Sequence, residues 1–271
     1  MFPEWGVGMT IYYEEMGNRS RPSIVFIHGG GLSGWVWCRQ VEHFNDYHCL
    51  VPDLPGHGKS LSQGIMNLKD CSALIAELIE NRANNHKAHV IGHSLGGKVV
   101  VELLSTRPDL IDHAIIASAF VGPLFCLKLI HRPVTYKISS LMLRNKVVQY
   151  LLIKLLKLPD EYSIEHYKED FSNLTSDSLF RLYDQLIQFS KIPRNLELAN
   201  VPTLILAGEK ELKAMKQSVK EIAEILPDSR GILLNKADHT YPWTRYEEFN
   251  KIIRLWIHEK TIPREFVQVI Y

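Results

Sequence analysis

Short runs of apolar and β-branched residues alternate along this chain with segments whose apolar residues recur at helical spacing. Six such runs predict β-strands, at residues 23–30, 48–53, 88–94, 114–120, 203–208 and 231–237. These runs lack an alternation of apolar and polar positions, which is typical of strands buried on both faces of a largely parallel sheet. Segments 67–86 and 95–106 predict helices between the strands. The order of elements therefore predicts an α/β fold.

One long segment interrupts this order. Residues 121–200 contain no convincing strand, and helical patterns such as KISSLMLRNKVVQYLLIKLLKL occupy much of the segment. It is too long for a loop, and strands resume after it. We therefore predict a core made of residues 1–120 and 201–271, into which residues 121–200 are inserted as a helical lid. A separate helical domain is the alternative interpretation.

The pentapeptide Gly92-His93-Ser94-Leu95-Gly96 lies between a predicted strand and a predicted helix. A serine on such a sharp turn presents its hydroxyl beyond the end of the strand, and the flanking glycines permit the close backbone approach that the turn requires. Ser94 is therefore the candidate nucleophile. A tight turn without a catalytic role is the alternative.

A nucleophilic serine requires a general base, and twelve histidines compete for that role. We favour His239 because it follows the last predicted strand, where a parallel sheet would place it beside Ser94. The base in turn requires a carboxylate that orients its imidazole. Glu211 and Glu209 both follow the preceding predicted strand, and we prefer Glu211. Asp238 adjoins His239, but neighbouring side chains diverge, so we expect Asp238 to form hydrogen bonds within the loop.

An acyl-transfer site also needs an oxyanion hole, usually two backbone N–H groups directed at the charge that develops in the transition state. The N–H of Leu95, at the start of the helix after the nucleophile, is one candidate. Gly30 is the other, because it lies in the glycine-rich sequence that follows the first predicted strand and has no Cβ to obstruct a substrate.

Taken together, these motifs resemble those of the α/β-hydrolase superfamily. They are HGGG at 28–31, PDLPGHGKS at 52–60, GHSLGG at 92–97, GEKE at 208–211 and DHTYPW at 238–243. The resemblance implies an eight-stranded, mostly parallel sheet, a helical lid inserted after strand six, and a triad in the order Ser94, Glu211, His239. Family members more often have Asp where this chain has Glu211. The resemblance implies a structural role for Asp53 and its neighbours in the second motif.

The resemblance also narrows the reaction. A serine at position 94 disfavours the dehalogenase and epoxide-hydrolase branches of the superfamily, which use a carboxylate as nucleophile. We therefore predict a serine hydrolase of carboxylesterase or lipase type, which acts on a carboxylic ester or related acyl compound through an acyl-enzyme and needs no cofactor. A weakly catalytic small-molecule receptor on the same fold and a hydrolase of carbon–carbon bonds are the alternatives.

A second glycine pattern competes with this interpretation. Gly29, Gly31 and Gly34 match G-x-G-x-x-G after a strand, and Asp53 follows at the end of the next strand, as in a dinucleotide-binding fingerprint. We set this interpretation aside because it leaves three candidate catalytic residues at strand ends unexplained. The sequence contains no HExxH motif or comparable cluster that predicts a metal site.

The charges are balanced overall but unevenly distributed. The net charge is +1, which disfavours a nucleic-acid-binding protein that depends on bulk positive charge. Residues 113–159, however, contain seven basic residues and no Asp or Glu: Lys128, Arg132, Lys137, Arg144, Lys146, Lys154 and Lys157. Our first interpretation is a lid over an apolar pocket with its lysines in water. The alternative is contact with an anionic lipid surface or with acyl substrates that carry a negative head group.

Two further features concern the cellular environment. The sequence has no long apolar run and begins without the pattern of a secretory signal, so we expect a cytoplasmic protein. Its four cysteines, Cys38, Cys49, Cys71 and Cys126, are scattered, which predicts reduced thiols.

Overall fold

The computed structural model describes residues 11–64, 67–122, 131–188 and 191–269. Its strands form one sheet in the order β1-β3-β2-β4-β5-β6-β7-β8. Their bounds are β1 Tyr13–Gly17, β2 Ser23–Ile27, β3 His48–Pro52, β4 Ala88–His93, β5 Ile111–Ala117, β6 Thr203–Gly208, β7 Ser229–Leu234 and β8 Val267–Val269. The end strands β1 and β8 pair antiparallel with β3 and β7, and the other pairs are parallel. The predicted α/β fold with eight mostly parallel strands is confirmed.

Ten α-helices are present in the described part of the chain. They are α1 Cys38–His43, α2 Leu68–Arg82, α3 Leu95–Thr106, α4 Pro133–Leu143, α5 Lys146–Leu156, α6 Glu161–Asn173, α7 Ser176–Gln188, α8 Lys213–Ile225, α9 Tyr241–Thr244 and α10 Tyr246–Glu259. Side chains cap the starts of three of the four helices between β5 and β6: Asn145 accepts from the N–H of Val147, Asp160 from the N–H of Ser163, and Thr175 from the N–H of Ser178.

The helices α4 to α7 follow the fifth described strand, whereas the resemblance implied a position after strand six. Residues 1–10 lie outside the described residues, so the number of strands before these helices does not test that expectation. The sequence runs did not predict β1 or β8. Both lie at sheet edges, and β1 (YEEMG) contains two glutamates, so neither resembles a strand buried on both faces.

Apolar cores lie on both faces of the sheet. Val25 and Ile27 of β2 belong to the cluster that includes residues of α2, α3 and α8, whereas the alternate residues Ile24 and Phe26 belong to the cluster beneath α1 and α10. All four of these side chains are inaccessible to solvent. This two-sided burial explains the continuous apolar runs in the sequence. The parallel strands also share one direction, so the segments after β2, β4, β6 and β7 lie at the same edge of the sheet.

Candidate active site

Ser94 lies on the turn between β4 and α3. Its backbone has φ 54° and ψ −111°, a left-handed conformation that is costly for a residue with a Cβ. The Ser94 N–H donates to the carbonyl of Ala117 at 2.8 Å, which fixes the turn against the end of β5. A Cβ at Gly92 would overlap the carbonyl of Gly96, and one at Gly96 would overlap the carbonyl of Ile27. The glycines on either side of Ser94 are therefore sterically required.

The glycine-rich loop after β2 lies directly against this turn. A Cβ on Gly29 would lie 3.4 Å from the Cβ of Ser94, and one on Gly30 would lie 3.6 Å from Cδ2 of Leu95. His28 holds the loop from below, since its Nε2 accepts from the N–H of Leu54 at 2.9 Å and its Nδ1 lies 2.8 Å from the carbonyl of Gly29. Burial lowers the pKa of His28 to about 4, so the ring is neutral and its Nδ1 donates to Gly29. The two candidate oxyanion residues are neighbours in the structure.

His239 and Glu211 form a hydrogen-bonded pair beside the same turn. Nδ1 of His239 lies 2.8 Å from Oε2 of Glu211. The Glu211 side chain is only 3% exposed, whereas the His239 side chain is 43% exposed. His93, the residue before Ser94, reaches the same loop, because its Nε2 lies 3.1 Å from the carbonyl of His239. Burial depresses the pKa of His93 well below its ordinary value, so the neutral ring donates from Nε2.

The second carboxylate oxygen of Glu211 is bound by two donors. Ser118 Oγ lies 2.6 Å from Oε1, and the N–H of Gly208 donates to the same oxygen at 2.7 Å. Ser118 is 1% exposed and has φ 53°, and its Oγ also lies 3.2 Å from the buried hydroxyl of Tyr241. Sequence reasoning missed Ser118. Its position at the end of β5, on the same edge of the sheet as Ser94, is the signal that could have indicated it.

Comparison of the sequence with known proteins identifies its family. The family model described as the alpha/beta hydrolase family matches residues 24–252. This chain belongs to the alpha/beta hydrolase family. Its fold is the one that the resemblance implied. The hydrolase is 26% identical over 247 residues to Lipase 3 of Moraxella sp. (strain TA144), and the aligned region covers 86% of this chain and 76% of that protein.

Two other relatives extend the comparison. An AB hydrolase superfamily protein of Gibberella zeae is 37% identical over 112 residues, which is 40% of this chain and 39% of that protein. The structure of MenH from S. aureus superposes with a TM-score of 0.71 at 23% identity, covering 93% of this chain and 99% of that chain. At this identity the superposition shows a shared fold and no more.

The hydroxyl of Ser94 is not hydrogen-bonded to His239 among the residues that the structure describes, whereas the other half of the predicted triad, His239 with Glu211, is joined. Such contacts are often long in a ligand-free hydrolase and shorten when a substrate binds. The structure thus gathers Ser94, Leu95, Gly30, His239 and Glu211 at one edge of the sheet, while their catalytic roles stay a prediction.

The competing carboxylates of the hydrolase have other partners. Oε2 of Glu209 accepts from the N–H of Lys236 at 2.7 Å and so caps the turn after β7. Asp238 accepts from the N–H of Thr240 at 3.1 Å and pairs with Lys157. Neither carboxylate is hydrogen-bonded to the His239 ring in the described part of the chain.

Asp53, the acidic residue of the dinucleotide-like pattern, supports the loops of the hydrolase. Its two carboxylate oxygens accept from the N–H groups of Gly34 at 2.7 Å and Lys59 at 2.8 Å. A Cβ at Gly58 would overlap this carboxylate. Asp53 is also only 5% exposed, so its carboxylate serves these loops rather than a cleft in which a ribose could bind.

Three negative findings apply to residues 11–64, 67–122, 131–188 and 191–269. In these residues no helix has the length and apolar character to cross a membrane, and no three His, Cys, Asp or Glu side chains are grouped to hold a metal ion. Cys38 and Cys49 form no disulfide there. Cys126 and Lys128 lie outside the described residues.

Proposed function

We propose that the chain is a serine hydrolase that cleaves carboxylic esters through Ser94, His239 and Glu211. The observation that carries the proposal is the His239–Glu211 pair at 2.8 Å beside a serine whose backbone is held at φ 54°. Strained backbone of this kind persists where the surrounding structure enforces it, and it is often found at reactive residues. The lipase among the relatives supports an ester as the substrate class.

The proposed reaction begins with attack by Ser94 Oγ on the ester carbonyl. The hydroxyl proton passes to Nε2 of His239, and Glu211 stabilises the imidazolium that forms. The N–H groups of Gly30 and Leu95 donate to the oxyanion, and the latter also lies at the positive end of the α3 dipole. The imidazolium then protonates the leaving alcohol. Water activated by His239 hydrolyses the acyl-enzyme and restores the hydroxyl of Ser94.

We also propose that helices α4 to α7 form the lid of this site. A Cβ on Gly30 would lie 3.2 Å from Cδ1 of Leu182 in α7, so this helix lies over the candidate oxyanion loop. Asp170 of α6 accepts hydrogen bonds from Ser33 Oγ at 3.0 Å and Trp35 Nε1 at 2.7 Å, which attaches the segment to the chain just beyond that loop. Substrates would enter between these helices and the sheet edge.

Steady-state turnover of p-nitrophenyl esters of graded chain length, together with labelling by a fluorophosphonate probe, tests the proposal. We expect turnover and labelling by the native chain and loss of both in Ser94→Ala, because the proposed reaction takes its attacking oxygen from Ser94. Ser20→Ala is the matched control, because Ser20 is exposed in the turn between β1 and β2, far in sequence from Ser94. Unchanged turnover in Ser94→Ala would exclude Ser94 as the nucleophile.

A weakly catalytic receptor on the same fold is the second candidate, because the absent hydrogen bond between Ser94 and His239 in the described structure is as compatible with it as with a ligand-free hydrolase. A serine that is not coupled to its base reacts slowly but still reacts with an activated phosphonate. Labelling of Ser94 with negligible turnover across the ester series would therefore support the receptor. The same result would also be expected of a hydrolase restricted to another bond, such as a carbon–carbon bond.

A further inference from the structure

The outer faces of α4 and α5 carry large apolar side chains that no described residue covers. Val134, Ile138, Leu141 and Met142 are each more than half exposed, at helical spacing on one side of α4. The same spacing recurs on α5, where the exposed apolar residues are Val147 (66%), Tyr150 (54%), Leu151 (58%) and Leu155 (70%). We name these eight residues the outer face. Large exposed apolar patches mark interaction sites.

The sequence of α5, KVVQYLLIKLL, is apolar on both sides of the helix. Leu152, Ile153 and Leu156 pack inward against the cluster beneath α1 and α10, which accounts for one side only. A helix that is apolar all round is normally buried all round. The exposed apolar side of α5 would therefore be stabilised by contact with an apolar environment outside the protein core.

Positive charge surrounds the outer face. Among the residues that the structure describes, five basic side chains of this segment are in no ion pair: Arg132, Lys137, Arg144, Lys146 and Lys154. No Asp or Glu occurs between residues 131 and 159. Nζ of Lys154 lies 4.6 Å from the ring centre of Tyr150, so an aromatic ring and a cation share the surface. An apolar face surrounded by basic side chains is complementary to a surface that has an apolar interior and anionic groups at its boundary.

We infer that the outer face docks on the surface of a membrane that contains anionic lipids. Lysine stems can lie along the acyl-chain boundary while their ammonium groups reach the phosphates. The helices α4 and α5 have 11 residues each, and a membrane span needs about 20, so they would lie in the plane of the interface. An acidic protein partner would meet the charge requirement, but it would need an apolar surface of matching shape, whereas lipid adapts to the shape of the helices that dock on it.

This face is attached to the candidate active site. The carbonyl of Leu156, at the end of α5, accepts from Nε1 of Trp243 at 2.8 Å, and Lys157 pairs with Asp238. Both contacts are made to the segment that contains His239. Docking would place that segment near the interface. The inference about binding stands apart from the proposed reaction, and it is tested by a measurement that involves no turnover.

Co-sedimentation of the full chain with vesicles measures the binding. We expect binding to vesicles of phosphatidylcholine mixed with phosphatidylglycerol, weaker binding to phosphatidylcholine alone, and weaker binding to both at high salt. The charge variant is Lys137→Gln/Lys146→Gln/Lys154→Gln. Each lysine near an anionic surface changes the partition coefficient about fivefold, so the expected loss is about 100-fold. Its control removes three exposed lysines elsewhere: Lys69, Lys87 and Lys213.

The apolar variant is Val147→Gln/Leu151→Gln/Leu155→Gln, and we expect at least about a tenfold loss of binding from the apolar area removed. Leu198→Gln/Leu212→Gln is its control, because these leucines are 72% and 77% exposed outside the outer face. Equal binding to both vesicle types, or equal losses in the control variants, would overturn the inference. A dimer in sedimentation velocity that the apolar variant dissociates would assign the face to a second copy instead. Turnover of a soluble ester, measured in parallel, reports separately on the proposed reaction.

Discussion

Replacing Glu211 by Gln should remove most of the activity, and the structure explains why the isosteric change is so severe. Oε1 of Glu211 accepts from both Ser118 Oγ and the N–H of Gly208, so only an oxygen can occupy that position. In Glu211→Gln the amide nitrogen is therefore forced to face Nδ1 of His239, where the carboxylate oxygen Oε2 now lies at 2.8 Å. An amide N–H donates, so His239 must accept at Nδ1 and carry its proton on Nε2.

That tautomer cannot act as a base toward Ser94, because Nε2 is the nitrogen that must take the hydroxyl proton. Imposing the wrong tautomer on a serine hydrolase costs about 10⁴ in kcat, which corresponds to about 5.5 kcal/mol of activation free energy. The fold should tolerate the change, since Gln retains the volume of Glu and the oxygen that Ser118 and Gly208 bind. We expect a melting temperature close to that of the native chain.

Glu209→Gln is the matched control for this prediction. Glu209 lies two residues away, and its carboxylate binds the N–H of Lys236 rather than the histidine. We expect its kcat for a p-nitrophenyl ester to stay within about twofold of the native value. The tautomer argument would be refuted if Glu211→Gln retained more than about a tenth of the native kcat, or if Glu209→Gln lost activity to the same degree.

Two further predictions concern the partners of the carboxylates. Ser118→Ala removes a donor from a buried carboxylate, a hydrogen bond of about 1.5–3 kcal/mol, so we expect kcat/KM to fall about 10–100-fold, mainly through kcat. Burial raises the pKa of Asp170 to about 6, with smaller contributions from Asp53 and Glu169. Because the folded state then holds its proton more tightly than the unfolded chain, the free energy of unfolding falls as the pH rises through this range. Asp170→Asn should therefore raise the free energy of unfolding near neutral pH by up to about 3 kcal/mol, and the melting temperature with it. Below about pH 4 we expect little effect.

Each of these two predictions has an internal comparison. Ser118 has φ 53°, so Ser118→Gly removes the hydroxyl without the backbone strain that Ala would retain. Equal losses in both variants would assign the effect to the hydrogen bond with Glu211. Full activity in the Gly variant would show instead that the hydroxyl acts by holding the strained backbone of residue 118 in place. For Asp170, the exposed Asp177→Asn on the next helix is the control. A melting-temperature difference that is the same at acid and neutral pH would contradict the titration argument.

The motifs of the sequence predicted the sheet well because their physical causes are local. Buried parallel strands require continuous apolar runs, and the turn at Ser94 requires glycines at positions 92 and 96, whose replacement would bring a Cβ into a carbonyl. The edge strand β1 was missed because it is not buried on both faces. Its sequence contains two glutamates and therefore lacks the continuous apolar run that identified the other strands. Lys98 of α3 is a second residue whose environment the sequence pattern did not predict. It is only 4% exposed in α3, and burial lowers its pKa to about 8, although a lysine in a helical pattern normally predicts a solvent-facing position.

The contact between Ser118 and Glu211 could not be read from the chain because it joins residues 93 positions apart, at the ends of neighbouring strands β5 and β6. It also gives a reason for the glutamate that distinguishes this chain from the more common pattern with aspartate. The carboxylate folds back to the N–H of Gly208, three residues earlier, while its other oxygen reaches His239. An aspartate on this backbone would end about 1.5 Å short, the length of one carbon–carbon bond, and could not meet both groups. The length of the acid and the serine on the adjacent strand are therefore two parts of one arrangement, and a change in either should be compensated by the other.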